Sequence, residues 1–152
     1  DVLVLNEGNK QFFDLGTIGP IIKKTGGRLA YLTDPIFSRE TQRCIENHIS
    51  NWIQRFKGFE AAFKVRCSSN CKCTKLVGPG VEKSNDEAEI AGIDSSHSFL
   101  CEFSDPSSKM VKEGGFWYMQ AALLYTSISG ERLVRCHTLA LAVTSKLENL
   151  YK

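Results

Sequence analysis

Residues 115–143 read GFWYMQAALLYTSISGERLVRCHTLALAV. Two apolar, β-prone segments flank the tight break at Ser129 and Gly130, which predicts a hairpin of long, largely buried strands. A period of two also governs the sequence upstream. In residues 59–66, Phe59, Ala61, Phe63 and Val65 fall on one side, and Glu60, Ala62, Lys64 and Arg66 on the other, a half-buried strand with one polar face. Ser68-Ser69-Asn70 follows as a turn, asparagine tolerating positive φ, and residues 71–77 are expected to return as the partner strand. Gly78-Pro79-Gly80 ends that strand. A polar loop at 82–87, short strands near 88–93 and 98–103, and a loop at 104–115 lead into the hairpin. Several strands joined by Gly, Pro and Ser turns argue a β-sandwich.

Before Gly58 the periodicity is different. An apolar strand at residues 2–5, a helix opened by Asp14 and a strand at 28–32 precede a long amphipathic helix at 39–56. Ile45, Ile49, Trp52, Ile53 and Phe56 line one face of that helix, with Ser38 as its cap and Gly58 as its stop. Pro20 removes a backbone donor from the first helix, so that helix is expected to start late or kink before ending at Thr25-Gly26-Gly27. Two strands and two helices cannot close a sheet covered on both faces. This half reads as the tail of a larger α/β domain.

The 152 residues correspond to roughly one average domain. Nineteen basic against seventeen acidic residues leave a formal charge of +2, and their interspersed arrangement gives no footprint for nucleic acid. No apolar run approaches the ~18 residues of a membrane span, and Asp1-Val2-Leu3-Val4-Leu5 lacks the pattern of a signal peptide. The expectation is a cytosolic protein or a fragment of one.

Six cysteines invite a metal or redox reading. Cys67, Cys71 and Cys73 form CSSNCKC, without the paired CxxC units that place four thiolates around zinc. Cys71 and Cys73 share a strand face, and Cys101 shares one with Phe99 and Phe103, as packing thiols do. A metal site and a disulfide remain the alternatives. Cys136 and His137 are consecutive strand residues and point to opposite faces, so they form no catalytic dyad. His48 and His97 read as solvated. Gly78-Pro79-Gly80 lacks the Lys-Ser or Lys-Thr of a phosphate loop, and Asp86, Glu87 and Glu89 form no acid/base pair of known geometry. No residue is assigned a catalytic role, and none a metal.

The wording of the hairpin is specific. QAALLYTSISGERLVRCHTLAL, residues 120–141, resembles the β-sandwich of the cargo-selecting adaptor subunits of the COPII vesicle coat. Asp1 to Leu5 resembles the last part of that family's trunk domain, a von Willebrand A-like fold, and Thr25-Gly26-Gly27 matches its TGG turn. Gly58-Phe59-Glu60-Ala61 with Lys64-Val65-Arg66 is similar to its GFDAxxRVR strand, Ala88 to Asp94 to its VEMAAID segment, and SKLENLY at 145–151 to the start of its helical domain. The resemblance departs at Lys64, where the family has arginine, at Asn70 for a turn glycine, and at Leu76-Val77 for an aromatic pair. Lysine keeps the charge but loses the planar fork that grips a carboxylate at two points.

The resemblance implies an α+β chain: the C-terminal part of a von Willebrand A-like α/β trunk at residues 1–57, an antiparallel β-sandwich at 58–145 and the start of a helical domain at 146–152. It implies a non-enzymatic coat adaptor in ER-to-Golgi transport, cytoplasmic and peripheral on the endoplasmic reticulum membrane. Its partners would be the sister inner-coat subunit and the export signals on cytosolic tails of membrane cargo and SNAREs. The family's zinc finger falls outside these residues, and no cofactor is expected within them. Lys64 and Arg66, two apart on one strand face and so ~7 Å from each other, would flank the carboxylates of a signal, and Leu124 would form the apolar wall for its leucine. Against this stand an ordinary solvated face for the two cations and a core position for Leu124, since leucine is usually inside. His137 matches a family histidine expected to make a structural hydrogen bond. Two other functions compete: the sister subunit, which stimulates the coat's small GTPase, and a Cys-rich metal or redox module built on CSSNCKC.

Overall fold

A computed structural model describes residues 1–9, 11–33, 37–104, 114–144 and 146–151. Strand β1 (Val2–Leu5) pairs in parallel with β2 (Leu29–Leu32), and helix α1 (Leu15–Thr25) connects them. Asp14 caps α1, its Oδ1 accepting from the Thr17 N–H at 3.2 Å. The helix starts at Leu15 and runs on through Pro20, so the expected late start does not occur. It ends at Gly26, whose φ of +72° is the left-handed conformation of a helix stop. A Cβ there would lie 1.9 Å from the Gly92 carbonyl oxygen, so this turn packs directly on the strand that carries Gly92.

Helix α2 (Arg39–Gln54) is capped by Ser38, whose Oγ accepts from the Thr41 N–H at 3.1 Å. Its stop is Arg55 in extended conformation, not Gly58. Gly58 lies inside strand β3 (Lys57–Cys67), where a Cβ would meet the Tyr125 ring at 2.6 Å. The apolar stripe of α2 forms, but Ile49 and Ile53 on it are exposed, and Phe56, also exposed, lies beyond the helix end.

The sandwich comprises β3, β4 (Lys72–Val77), β5 (Val81–Ser84), β6 (Glu87–Asp94), β7 (Leu100–Ser104), β8 (Phe116–Ser127) and β9 (Arg132–Ala142). Five strands form one sheet in the order β5-β6-β3-β8-β9, and β4 pairs with β7 in the other. Ser68 to Asn70 therefore does not close a hairpin. The chain crosses there to the facing sheet, and β3 takes β6 and β8 as neighbours instead. Part of the expected loop at 82–87 is strand, because β5 pairs with β6. The expected loop at 104–115 falls largely outside the described residues.

Alternation along β3 holds from Ala61 onward. Ala61 and Val65 are buried, and Phe63 stacks on Phe99 with centroids 4.1 Å apart. Two clusters, one around Tyr125 and Ile90, the other around Val65, Cys73, Leu76 and Ala88, are joined by Phe63 and Phe99, which pack against both. Phe59, however, is exposed. A bulge between Phe59 and Ala62 shifts the register, with Glu60 at φ +49°, and the extra residue turns Phe59 out of the alternation. Arg132 Nη1 donates to the Glu60 carbonyl at 2.7 Å and so satisfies the bulge.

The 115–143 hairpin is present, closed by Gly130 N–H donating to Ser127 O and Ser127 N–H donating to Glu131 O. Its second strand is not buried. β9 is the sheet edge and is exposed along most of its length, since the two-stranded sheet is too narrow to cover it.

Asp94, at the end of β6, ties the first elements to the sandwich. Its carboxylate pairs with Arg28 beside β2 and lies 3.7 Å from Arg55 at the end of α2. The N–H and hydroxyl of Ser96 donate to its Oδ1 at 2.9 and 2.8 Å. Burial pushes this carboxyl up, but the Ser96 bonds, His97 and Arg28 outweigh burial and hold it below the usual range. His97 is not solvated. Its side chain is 11% exposed, and its Nδ1 accepts from the Asp94 N–H at 3.0 Å. Gly80 N–H donates to Lys23 O at 2.9 Å, a second tie between α1 and the sandwich.

Candidate functional site

Residues directly opposite each other on neighbouring strands share a face. Ala62 pairs with Leu124 and Glu89, Lys64 with Ala122 and Glu87, and Arg66 with Gln120. Across the hairpin Leu124 pairs with Val134, Ala122 with Cys136 and Gln120 with Thr138. Lys64, Arg66 and Leu124 thus lie together on the outer face of the five-stranded sheet. Leu123, its neighbour, packs into the core; Leu124 turns the other way and is partly exposed. Its residue type pointed to the core, but the strand phase decides otherwise.

The outer face is graded in character. β6 contributes Glu87 and Glu89, paired with Lys64 and Lys83 at 2.6 and 2.9 Å. β8 and β9 contribute an apolar strip of Ala122, Leu124, Val134 and Cys136, with Val134 62% exposed. Arg66 is exposed and sits past the last β3–β6 pair, Lys64 with Glu87. It borders a cleft of about 610 Å³ lined also by Lys72, Ser84, Asn85 and Asp86. Of the two β3 cations Lys64 and Arg66, Arg66 is the one without a carboxylate partner among the described residues. Next to it Gln120 Nε2 donates to Thr138 Oγ1 at 3.2 Å. Arg66 and Leu124 are separated along the strands by roughly 13 Å, four residue steps.

The two cations differ. Lys64 Nζ donates to Glu87 Oε2, and this hydrogen bond, followed by the Glu87 charge, raises its pKa. Lys64, expected beside Arg66 to flank the carboxylates of a signal, is thus already engaged by Glu87. Sequence reasoning also missed Glu87 as a member of the face, as it did Gln120 and the exposed pair Phe116 and Tyr118 further along β8, with ring centroids 6.1 Å apart. The continued alternation of β8 was the signal that could have found these last three.

The inner face holds a different space. Where the two-stranded sheet does not reach, a cavity of about 530 Å³ is lined by Phe56, Phe63, Tyr125, Arg135 and His137. Arg135 Nε donates to the Tyr125 hydroxyl at 3.1 Å. The His137 side chain, expected to make a structural hydrogen bond, has none to another side chain or backbone group among the described residues, while its backbone pairs with Ala121. His137 pairs with Ala121 and Cys136 with Ala122, which places the two on opposite faces.

Cys44, Cys67, Cys73, Cys101 and Cys136 are free thiols. Cys71, just before β4, and Cys73 within it are buried, and burial pushes the Cys73 thiol up to about 11, well away from a thiolate at neutral pH. Among the described residues no three His, Cys, Asp or Glu side chains are gathered to hold a metal ion. Nor is any described helix long and apolar enough to cross a membrane.

Residues 58–144 match the family model for the Sec23/Sec24 beta-sandwich domain. Human protein transport protein Sec24D is 32% identical over 142 residues, covering 93% of this chain and 14% of its own length. Protein transport protein SEC24 B of Arabidopsis thaliana is 28% identical over 141 residues, covering 93% and 13%. The crystal structure of the human COPII-coat protein Sec24c superposes with a TM-score of 0.85 at 26% identity, over 98% of this chain and 19% of that one. The chain spans a small fraction of the length of each relative. With more than half of its residues inside the family model and nearly all of them following a relative's fold, the chain belongs to the Sec23/Sec24 family.

Proposed function

We propose that this chain is part of a cargo-selecting adaptor of the COPII coat, and that the outer face of its five-stranded sheet reads acidic, apolar export signals on cytosolic tails of membrane cargo. The carrying observation is the juxtaposition on one face of Arg66, without a carboxylate partner among the described residues, and a partly exposed apolar strip around Leu124. Arg66 grips the carboxylate with its planar fork, and Leu124, beside Ala122 and Val134, receives the apolar side chain. Lys64 contributes less, because Glu87 already occupies it.

In this reading the work is recognition without chemistry and without a cofactor of its own. Residues 1–57 are the end of a von Willebrand A-like trunk, supported by the parallel β1–α1–β2 unit; residues 58–145 are the sandwich, and 146–152 begin a helical domain. The sister inner-coat subunit is the coat partner, and the site of action is the cytoplasmic surface of the endoplasmic reticulum membrane. That the relatives named above are Sec24 proteins favours the cargo-selecting subunit over its GTPase-stimulating sister.

The test is titration of the chain with a short peptide carrying leucines and a glutamate, at low and physiological salt. Saturable binding that weakens about tenfold in Arg66→Ala is expected, the loss of one charge-assisted bond. Equal affinity for both proteins would remove Arg66 from the site.

A further inference from the structure

We propose that Glu87 sets the acid specificity of the outer-face site: by holding Lys64 it leaves Arg66, of the two cations on that face of β3, available to a ligand, so the face selects an apolar peptide with one carboxylate over one with two. The proposal rests on the cargo-signal reading given above and names the ligand class within it.

The geometry is a direct cross-strand pair. Lys64 and Glu87 face each other in register on β3 and β6, with Nζ and Oε2 2.6 Å apart. Both side chains are half-exposed, at 43% and 33%, so an incoming carboxylate can approach the pair but finds the ammonium already engaged. The neighbouring position on β6 is Glu89, in register with Ala62 and engaged with Lys83. The β6 side of the patch therefore presents two carboxylates in succession, whereas β8 and β9 present neutral and apolar groups.

A peptide with its carboxylate on Arg66 avoids the acidic margin by running over Ala122 and Leu124. A second carboxylate two residues from the first would lie ~7 Å away along an extended ligand, level with Lys64. There it must displace Glu87 or sit beside it, and like charges directly opposed are unfavourable. This is selection by a repulsive group rather than by an added attraction. The raised pKa of Lys64, due first to its hydrogen bond with Glu87 and then to the Glu87 charge, accords with an occupied lysine.

The experiment is calorimetric titration of the full chain, at fixed salt, with two capped peptides of identical apolar residues. One carries a single glutamate, and the other adds an aspartate two positions away. The wild type is expected to bind the single-acid peptide at least about threefold more tightly. Glu87→Gln frees Lys64 and is expected to improve the two-acid peptide about tenfold, while moving the other less than about twofold. A wild type without that preference, or a Glu87→Gln protein in which both affinities shift alike, overturns the proposal. Single-acid binding that Arg66→Ala abolishes, with the ratio unmoved by Glu87→Gln, would overturn the role of Glu87 and leave the cargo-signal reading standing. Absence of binding by either peptide overturns both.

Discussion

The two faces of the five-stranded sheet are built from the same strands but differ in burial and chemistry. On the inner face Ala61, Val65 and Tyr125 are each less than 5% exposed, and Phe63 links the two clusters of the core. On the outer face the residues one step along, Lys64, Arg66 and Leu124, are partly or wholly exposed and make no part of either cluster. Two-residue periodicity lets a strand commit one face to stability and leave the other to recognition. Substitutions on the two faces should then fail in different ways.

The sharpest contrast is Phe63→Ala against Leu124→Ala. The first removes a ring stacked at 4.1 Å on Phe99 and is expected to cost about 3 kcal/mol. The second, on the outer face, is expected to cost about 1 kcal/mol or less. Chemical denaturation measures both, and equal losses would break the division into faces.

A smaller effect is expected at the junction with the first elements. Asp94→Asn removes the charge that Arg28 and Arg55 share, at about 2 kcal/mol. The thermal midpoint should fall with the outer face still competent to bind. The same junction gives a pH dependence. Burial lowers the pKa of His97 from its ordinary value of 6.5, against the raising effect of Asp94. The folded state then binds this proton less readily than the unfolded chain. Its contribution is complete above about 6.5 and lost as pH falls below that value toward the folded pKa. The lowered Asp94 behaves alike at more acid pH, below its ordinary 3.8. Stability measured from pH 7.5 to 5 should decline, and His97→Gln should flatten that decline; an unchanged slope would remove His97 as its source.

The smallest stability effect is expected on the outer face itself. Arg66→Ala should leave the melting temperature within about one degree of the wild type, which differential scanning fluorimetry can check. A clear drop would make Arg66 structural and remove the contrast.

Much of this arrangement was legible in the sequence, and the failures have local causes. The alternation from Ala61 to Arg66 and the Ser129-Gly130 break are short-range signals, and both held. The resemblance in QAALLYTS and ERLVRCHTLAL placed the family, which the match over 58–144 shows. Phe59 went wrong because a bulge at a non-glycine residue is imposed by the neighbouring strands and leaves no mark in the periodicity. Ser68-Ser69-Asn70 went wrong because the same turn chemistry serves a hairpin or a crossing between sheets. β9 was expected to be buried from its composition, yet burial depends on the width of the facing sheet. The pairing of Lys64 with Glu87 spans 23 residues and exists only once β6 lies beside β3 in this register. The asymmetry of the candidate site, with Lys64 engaged and Arg66 without a carboxylate partner among the described residues, was therefore beyond pattern reading.

The most direct test of the division between faces is to follow the backbone amides of the chain by NMR during titration with a single-acid, leucine-containing peptide. Saturable shifts are expected, centred on Arg66, Gln120, Ala122, Leu124 and Val134. Shifts centred instead on the inner-face cavity, around Phe56, Tyr125 and Arg135, would contradict that division.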